Sequence, residues 1–311
     1  MSQRSDSDEV SAPEGAEADL EELLPEPPTM GRRERMRRRI LRSTALLPAL
    51  FTISNGLCGF ASIHFATKDP IGAAQIQNLS LACWLIFAAM VCDMLDGSLA
   101  RLTRKTSDFG GQLDSLSDVI SFGVAPAMLM ARTVLLVLRG EPETYVAVER
   151  TVLCVAGAYM ACAALRLARF NVENEPDEAS HMSFSGLPSP GAAAAVVAPV
   201  LLLTWHVTNG LKLAANGWLF YAVSVGLPAL TLGTALLMVS RVRYPHVVNQ
   251  YVRGKRPFNY LVKFVIVALA ATLYPLETIA ALAVAFALWG PIRVAFKALW
   301  GRRPPTKIEI P

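Results

Sequence analysis

The sequence predicts an all-α integral membrane protein, a polytopic helical bundle with about eight transmembrane helices. Two observations predict it. Of the 311 residues, 53% are hydrophobic and only 17% charged, where soluble domains carry about a quarter charged, and the mean hydropathy is +0.39. The apolar residues also gather into runs that approach the ~20 needed to cross a bilayer. Too little polar sequence remains for a separate soluble enzyme, so any chemistry is expected at the membrane. The net charge of +4 is small and its basic residues flank apolar runs, which argues against nucleic-acid binding and for contact with acidic lipid headgroups.

Residues 1–42 read as a cytoplasmic tail. Acidic residues dominate from Asp6 to Glu26, and a basic stretch follows from Gly31 to Arg42 that suits a helix lying on an anionic leaflet or a simple topological anchor. The tail lacks the short apolar core of a cleaved signal. Residues 43–298 are expected to form one transmembrane catalytic domain, with apolar segments at about Ala45–Ala66, Leu79–Leu95, Val119–Leu138, Val152–Ala168, Gly191–Val207, Trp218–Val239, Leu261–Tyr274 and Ile279–Val294. The last two are short and separated by Pro275. Residues 299–311 read as a second cytoplasmic tail.

Loop charge orients these segments. Arg101, Arg104 and Lys105, then Arg166 and Arg169, then Arg241, Arg243, Arg253, Lys255 and Arg256, and finally Arg302, Arg303 and Lys307 share the side of the basic tail. The other side holds only Lys68, Arg139, Arg150 and Lys212. Since Lys and Arg are retained inside, both termini are expected in the cytoplasm of a cell whose inner membrane holds the chain, and this agreement supports an even number of spans. Cys58, Cys83, Cys92, Cys154 and Cys162 all fall in apolar segments and read as small hydrophobes. His64, His181, His206 and His246 show no ligand spacing.

The informative stretch runs from Asp93 to Asp118. Asp93 and Asp96 are three apart and Asp114 and Asp118 four apart, so each pair shares a helix face. The first pair ends the second span and the second opens the third, which brings four acids to one membrane face. Unpaired, they would repel one another and lose hydration, and ionisable groups at membrane depth usually mark function. Oxygen ligands without His or Cys suit Mg²⁺ or Mn²⁺, and two such ions would clamp a phosphoryl group. Gly97 and Ala100 leave room for a ligand against the backbone, and Arg101 is placed to hold phosphate oxygens. Any single Asp here also fits a solvated helix end; Asp108, out of phase with the pairs, is read that way.

The pattern DxxDGxxAR, eight residues, GxxxDxxxD, complete from Asp93 to Asp118, resembles the signature of the CDP-alcohol phosphotransferases. The resemblance implies a membrane-embedded helical enzyme that transfers a substituted phosphate from a CDP-activated donor to an alcohol and releases CMP. It also implies two divalent ions on Asp93, Asp96, Asp114 and Asp118, with Asp118 as general base, and a homodimer. Gly110, which opens the second half of the pattern, is grouped with Gly97, Ala100 and Arg101 as a substrate contact. The segments Phe51–Gly59, Ala164–Asn171 and Phe184–Pro190 look like the bacterial and archaeal members that take serine, so CDP-diacylglycerol and L-serine are the expected substrates.

Asn55, an amide in an apolar span, needs partners: the nucleotide, the phosphate or another helix. Serine carries a carboxylate, for which Arg166 and Arg169 are the candidate cations; inside-facing anchoring is their other reading. Direct displacement is expected, because no activated Ser or Cys accompanies the acids. The alternatives are a family member using glycerol 3-phosphate, inositol phosphate or choline, an ion transporter with acids spread across the membrane, and a noncatalytic scaffold.

Overall fold

The structure is a computed structural model that describes residues 32–68, 73–103, 108–138, 142–173, 186–211, 217–242, 244 and 258–300; of these, 32–47, 73, 100–103, 108, 142–147, 173, 258–261, 263, 264 and 297–300 are described as backbone alone. The acidic part of the first tail and residues 301–311 lie outside the described residues, as do His181, Phe184, Ser185 and His246. Among the described residues every regular element is helical. In order they are α1 (Arg32–Thr67), α2 (Ala73–Thr103), α3 (Asp108–Asp118), α4 (Ala125–Leu138), α5 (Pro142–Glu173), α6 (Ser189–Thr208), α7 (Gly217–Tyr221), α8 (Leu227–Val239), α9 (Phe258–Leu273) and α10 (Pro275–Trp300).

Two π turns, Val119–Val124 and Ala222–Gly226, join α3 to α4 and α7 to α8 into continuous rods. Their positions have a local cause. Each is followed two residues later by a proline, Pro126 and Pro228, which has no N–H to donate and whose ring crowds the carbonyl four residues back. Widening the preceding turn to the i→i+5 pattern relieves that crowding, and the Ala125 and Leu227 N–H groups donate to the Ile120 and Ala222 carbonyls.

Seven helical stretches among the described residues are long and apolar enough to cross a membrane: Pro48–Thr67, Ala74–Leu99, Phe109–Leu138, Val148–Val172, Ser189–Thr208, Gly217–Val239 and Pro275–Phe296. The protein is therefore a multi-pass helical membrane protein. The segment expected as one of eight spans, Leu261–Tyr274, forms α9, whose 16 residues reach only about 24 Å at 1.5 Å per residue, short of the ~30 Å hydrocarbon core. Among the described residues, then, seven helices reach the length of a span, in keeping with a polytopic bundle of about eight.

At the centre stands α6, with Ala192, Ala193, Ala195, Val196 and Val197 all fully buried. It packs on α2, α4, α8 and α10, while α5 closes against α4 and α8. Small residues let these helices approach closely, as membrane helices require where hydrocarbon surrounds them. The lipid-facing surface carries Leu57, Phe60, Leu153, Leu165 and Leu236, all at least half exposed.

Candidate active site

The last turns of α2 present Asp93 and Asp96, and α3 presents Asp114 and Asp118. The two rods bring these acids together: a carboxylate oxygen from each of Asp93, Asp114 and Asp118 lies within 4.8 Å of the others. Asp96 stands beside them, close enough to interact electrostatically with Asp93, Asp114 and Asp118. Asp96 and Asp118 are only 5% and 7% exposed, so water does little to screen these two charges, while Asp93 and Asp114 are half-buried.

A layer of hydroxyls and one amide fixes these carboxylates. The Thr52 hydroxyl on α1 donates to Asp96 Oδ2 at 3.0 Å; the Pro48 carbonyl lies equally near, but an ionised carboxylate is the stronger acceptor. One turn further, Asn55 Nδ2 donates to Asp118 Oδ1 at 2.9 Å. Thr52 and Asn55, three apart, share the face of α1 that meets the site. The Asn55 backbone is held in turn, since the Ser121 hydroxyl in the first π turn donates to its carbonyl at 2.8 Å. Gly59 makes that approach feasible: a Cβ there would lie 2.5 Å from Ser121 Oγ and 2.7 Å from its Cα.

On the other flank, Arg166 of α5 donates through Nη1 to the Ser189 hydroxyl at 2.6 Å and is near enough to Asp118 for their charges to interact. Ser189 opens α6 and is fully buried. The approach to it is clamped from behind: Gly186 N–H donates to the Val242 carbonyl at 2.9 Å and Leu187 N–H to the Leu237 carbonyl at 3.0 Å. Asn171, at the end of α5, donates through Nδ2 to the Ser115 hydroxyl at 2.8 Å, tying α5 to the residue after Asp114.

Four buried side-chain polar atoms among the described residues have no protein partner: Asn55 Oδ1, Asp114 Oδ1, Arg166 Nε and Tyr159 Oη. Three belong to this site. Buried polar atoms are nearly always satisfied, so a cluster of orphans marks a place built for a ligand. Two of the three are oxygens amid carboxylates, which suits a hard divalent cation; the donor set fits the metal that the sequence implies.

Gly97 is exposed with nothing within 4 Å of where its Cβ would be, so this stretch of α2 is open to a ligand. Gly110 is half-buried and Arg169 exposed. The side chains of Ala100, Arg101 and Asp108 lie outside the described residues. Reasoning on the sequence missed Thr52, Ser115, Ser121 and Ser189. The spacing of Thr52 and Asn55 was a usable signal, whereas the partners of the three serines are 23 or more residues away in the chain.

Four carboxylates at the adjoining ends of two membrane helices, with a basic side chain near them, are compatible with a divalent-metal site of the class used in phosphoryl transfer. Residues 45–227 match the family model described as CDP-alcohol phosphatidyltransferase, and the chain belongs to that family. Its relatives narrow the comparison. The CDP-diacylglycerol--serine O-phosphatidyltransferase of Helicobacter pylori (strain ATCC 700392 / 26695) is 32% identical over 254 residues, covering 81% of this chain and 92% of the relative. The protein of that name from Bacillus subtilis (strain 168) is 32% identical over 200 residues, covering 64% and 90%. The archaetidylserine synthase of Methanothermobacter thermautotrophicus is also 32% identical, over 209 residues, covering 67% and 72%.

Proposed function

We propose that this chain transfers the phosphatidyl group of CDP-diacylglycerol to the hydroxyl of L-serine, giving phosphatidylserine and CMP. The observation that carries the reading is the convergence of Asp93, Asp114 and Asp118 within 4.8 Å, in a chain whose relatives carry that activity in their names. Two divalent cations, Mg²⁺ or Mn²⁺, held by Asp93, Asp96, Asp114 and Asp118, would neutralise the pyrophosphate and the departing phosphate.

The residues of the chain do the rest. Asn55 occupies one oxygen of Asp118 and leaves the other to accept the serine proton as the hydroxyl oxygen attacks the diacylglycerol-bearing phosphorus. A P–O bond to serine forms, the P–O bond to CMP breaks, and Asp118 acts as general base. Thr52 restricts Asp96 to one rotamer, which keeps the acids in place between turnovers. Gly97, Ala100, Arg101 and Gly110 lie along the nucleotide and phosphates. Arg166, whose Nε is unpartnered, offers a charge-assisted bond to the serine carboxylate; Arg169 has the weaker claim. The diacylglycerol tails stay in the leaflet beside the helices, which avoids exposing them to water.

The same proposal places the carboxylates and the N-terminus on the cytoplasmic face of the inner membrane, by loop charge. The C-terminus joins them if α9 serves as a short further crossing, its mismatch absorbed by local thinning. A homodimer completes the proposal, and native mass spectrometry of the solubilised chain reads it directly. A transporter reading lacks support, since in the seven spans the acids outside the cluster are Glu149 and Glu277, at span ends, and no chain of carboxylates crosses the membrane. The deciding experiment is CMP release from CDP-diacylglycerol by the purified protein. Serine, glycerol 3-phosphate, inositol phosphate and choline are offered in turn; turnover with serine alone is expected, and turnover only with a phosphorylated alcohol would overturn the acceptor.

A further inference from the structure

The end of α6 remote from the carboxylates builds a second site. Ser189 and His206 are 17 positions apart on one helix, about 26 Å at 1.5 Å per residue, so this site belongs to the opposite half of the membrane. There α6 stops in a Schellman turn: Gly210 adopts φ +97°, its N–H donates to the Val207 carbonyl at 3.1 Å, and Leu211 N–H donates to the His206 carbonyl at 3.0 Å. The turn folds Leu211 back as one wall of a cavity of about 660 Å³ between α6, the α7–α8 rod and α10.

Apart from His206 and Glu277 the wall is apolar, with Leu203, Leu219, Val223 and Val284 among its residues. The apolar part of such a wall suits hydrocarbon chains, while His206 and Glu277, both partly exposed near span ends, sit where headgroups meet water. The polar pair adds selectivity: His206 Nε2 lies 3.5 Å from Glu277 Oε1, and among the described residues neither Lys nor Arg lines the cavity. An anionic headgroup would meet a carboxylate there, whereas a headgroup ammonium would gain one. Trp218, 71% exposed, also lines the cavity.

We propose that this cavity binds one acyl chain of a phospholipid from the leaflet opposite the carboxylates, with the ammonium of its headgroup against Glu277. It is a structural lipid site, separate from the donor site and independent of which alcohol the enzyme accepts. The test places the full-length protein in nanodiscs with increasing fractions of phosphatidylethanolamine or phosphatidylglycerol, each brominated on the acyl chain, and follows tryptophan quenching. Phosphatidylethanolamine is expected to reach half-quenching at about a threefold lower fraction, as a partly exposed ion pair allows. Trp218→Phe should remove this headgroup-dependent component, and Glu277→Gln should abolish the preference. Ala280→Phe, which fills the cavity instead of altering its charge, should abolish it as well. Equal quenching by the two lipids in the wild type, or a preference that survives both Glu277→Gln and Ala280→Phe, overturns the proposal.

Discussion

Two glycines with almost the same backbone angle flank α6. Gly186 precedes it at φ +100° and Gly210 follows it at φ +97°. Both occupy the left-handed region that side-chain-bearing residues avoid, yet their surroundings differ. A Cβ on Gly186 would overlap the Met238 carbonyl oxygen and crowd that of Ser240, while one on Gly210 would meet nothing within 4 Å. The first glycine is compressed between the entry to α6 and the end of α8, immediately behind Ser189 and Arg166. The second only turns the chain above an open cavity. The contrast shows where this fold fixes atoms closely: at the end where charges must be held for chemistry, and not at the end that meets lipid.

Substitutions sharpen the contrast, the largest effect coming from the carboxylates. Asp118→Asn keeps the Asn55 contact feasible but removes the proposed base, so kcat for CMP release should fall about 10²- to 10⁴-fold while nucleotide binding, measured by titration with CDP, persists. Gly186→Ala adds overpacking to left-handed strain and should cost about 2–5 kcal/mol, visible as a lower melting temperature in detergent; kcat/KM for serine should drop with it, because Ser189 and Arg166 move. Gly210→Ala carries the strain alone, about 1–2 kcal/mol, with CMP release unchanged. Equal losses of activity for the two glycine variants would erase the distinction between the ends of α6.

The smallest effect belongs to Tyr244, which ties the segment after α8 to α10. Its hydroxyl donates to the Ala287 carbonyl at 2.9 Å, and its ring lies against Gly290 and Phe286. Tyr244→Phe should cost about 1 kcal/mol. Burial pushes the phenol from its ordinary 10 up to about 12. Ionisation is thus harder in the folded state than in the unfolded one, and the stabilisation is full below pH 10 and lost as pH rises through about 12. Thermal melts of both proteins across pH 8–12 read the difference directly.

The helical spans and the Asp pairs were legible in the sequence because both rest on local periodicity: apolar runs long enough to cross, and acids spaced three and four apart. The described length of α9 was less legible, since Leu261–Tyr274 is as apolar as its neighbours. The fixing layer is tertiary. Ser121 reaches Asn55 across 66 residues through a π turn that Pro126 provokes, and Ser189 meets Arg166 only once α5 and α6 pack. The paired arginines show the limit of spacing as a guide: Arg166 turns inward to Ser189, while Arg169, one turn on, is exposed.

The central claim is that Asp93, Asp96, Asp114 and Asp118 act together as a divalent-cation site. Electron paramagnetic resonance titration of Mn²⁺ into the full-length protein tests it most directly. The account predicts saturable binding of two ions per chain that is lost or weakened at least about tenfold in Asp114→Asn. Mn²⁺ binding that is absent from the wild type, or unchanged in Asp114→Asn and Asp93→Asn alike, would contradict it.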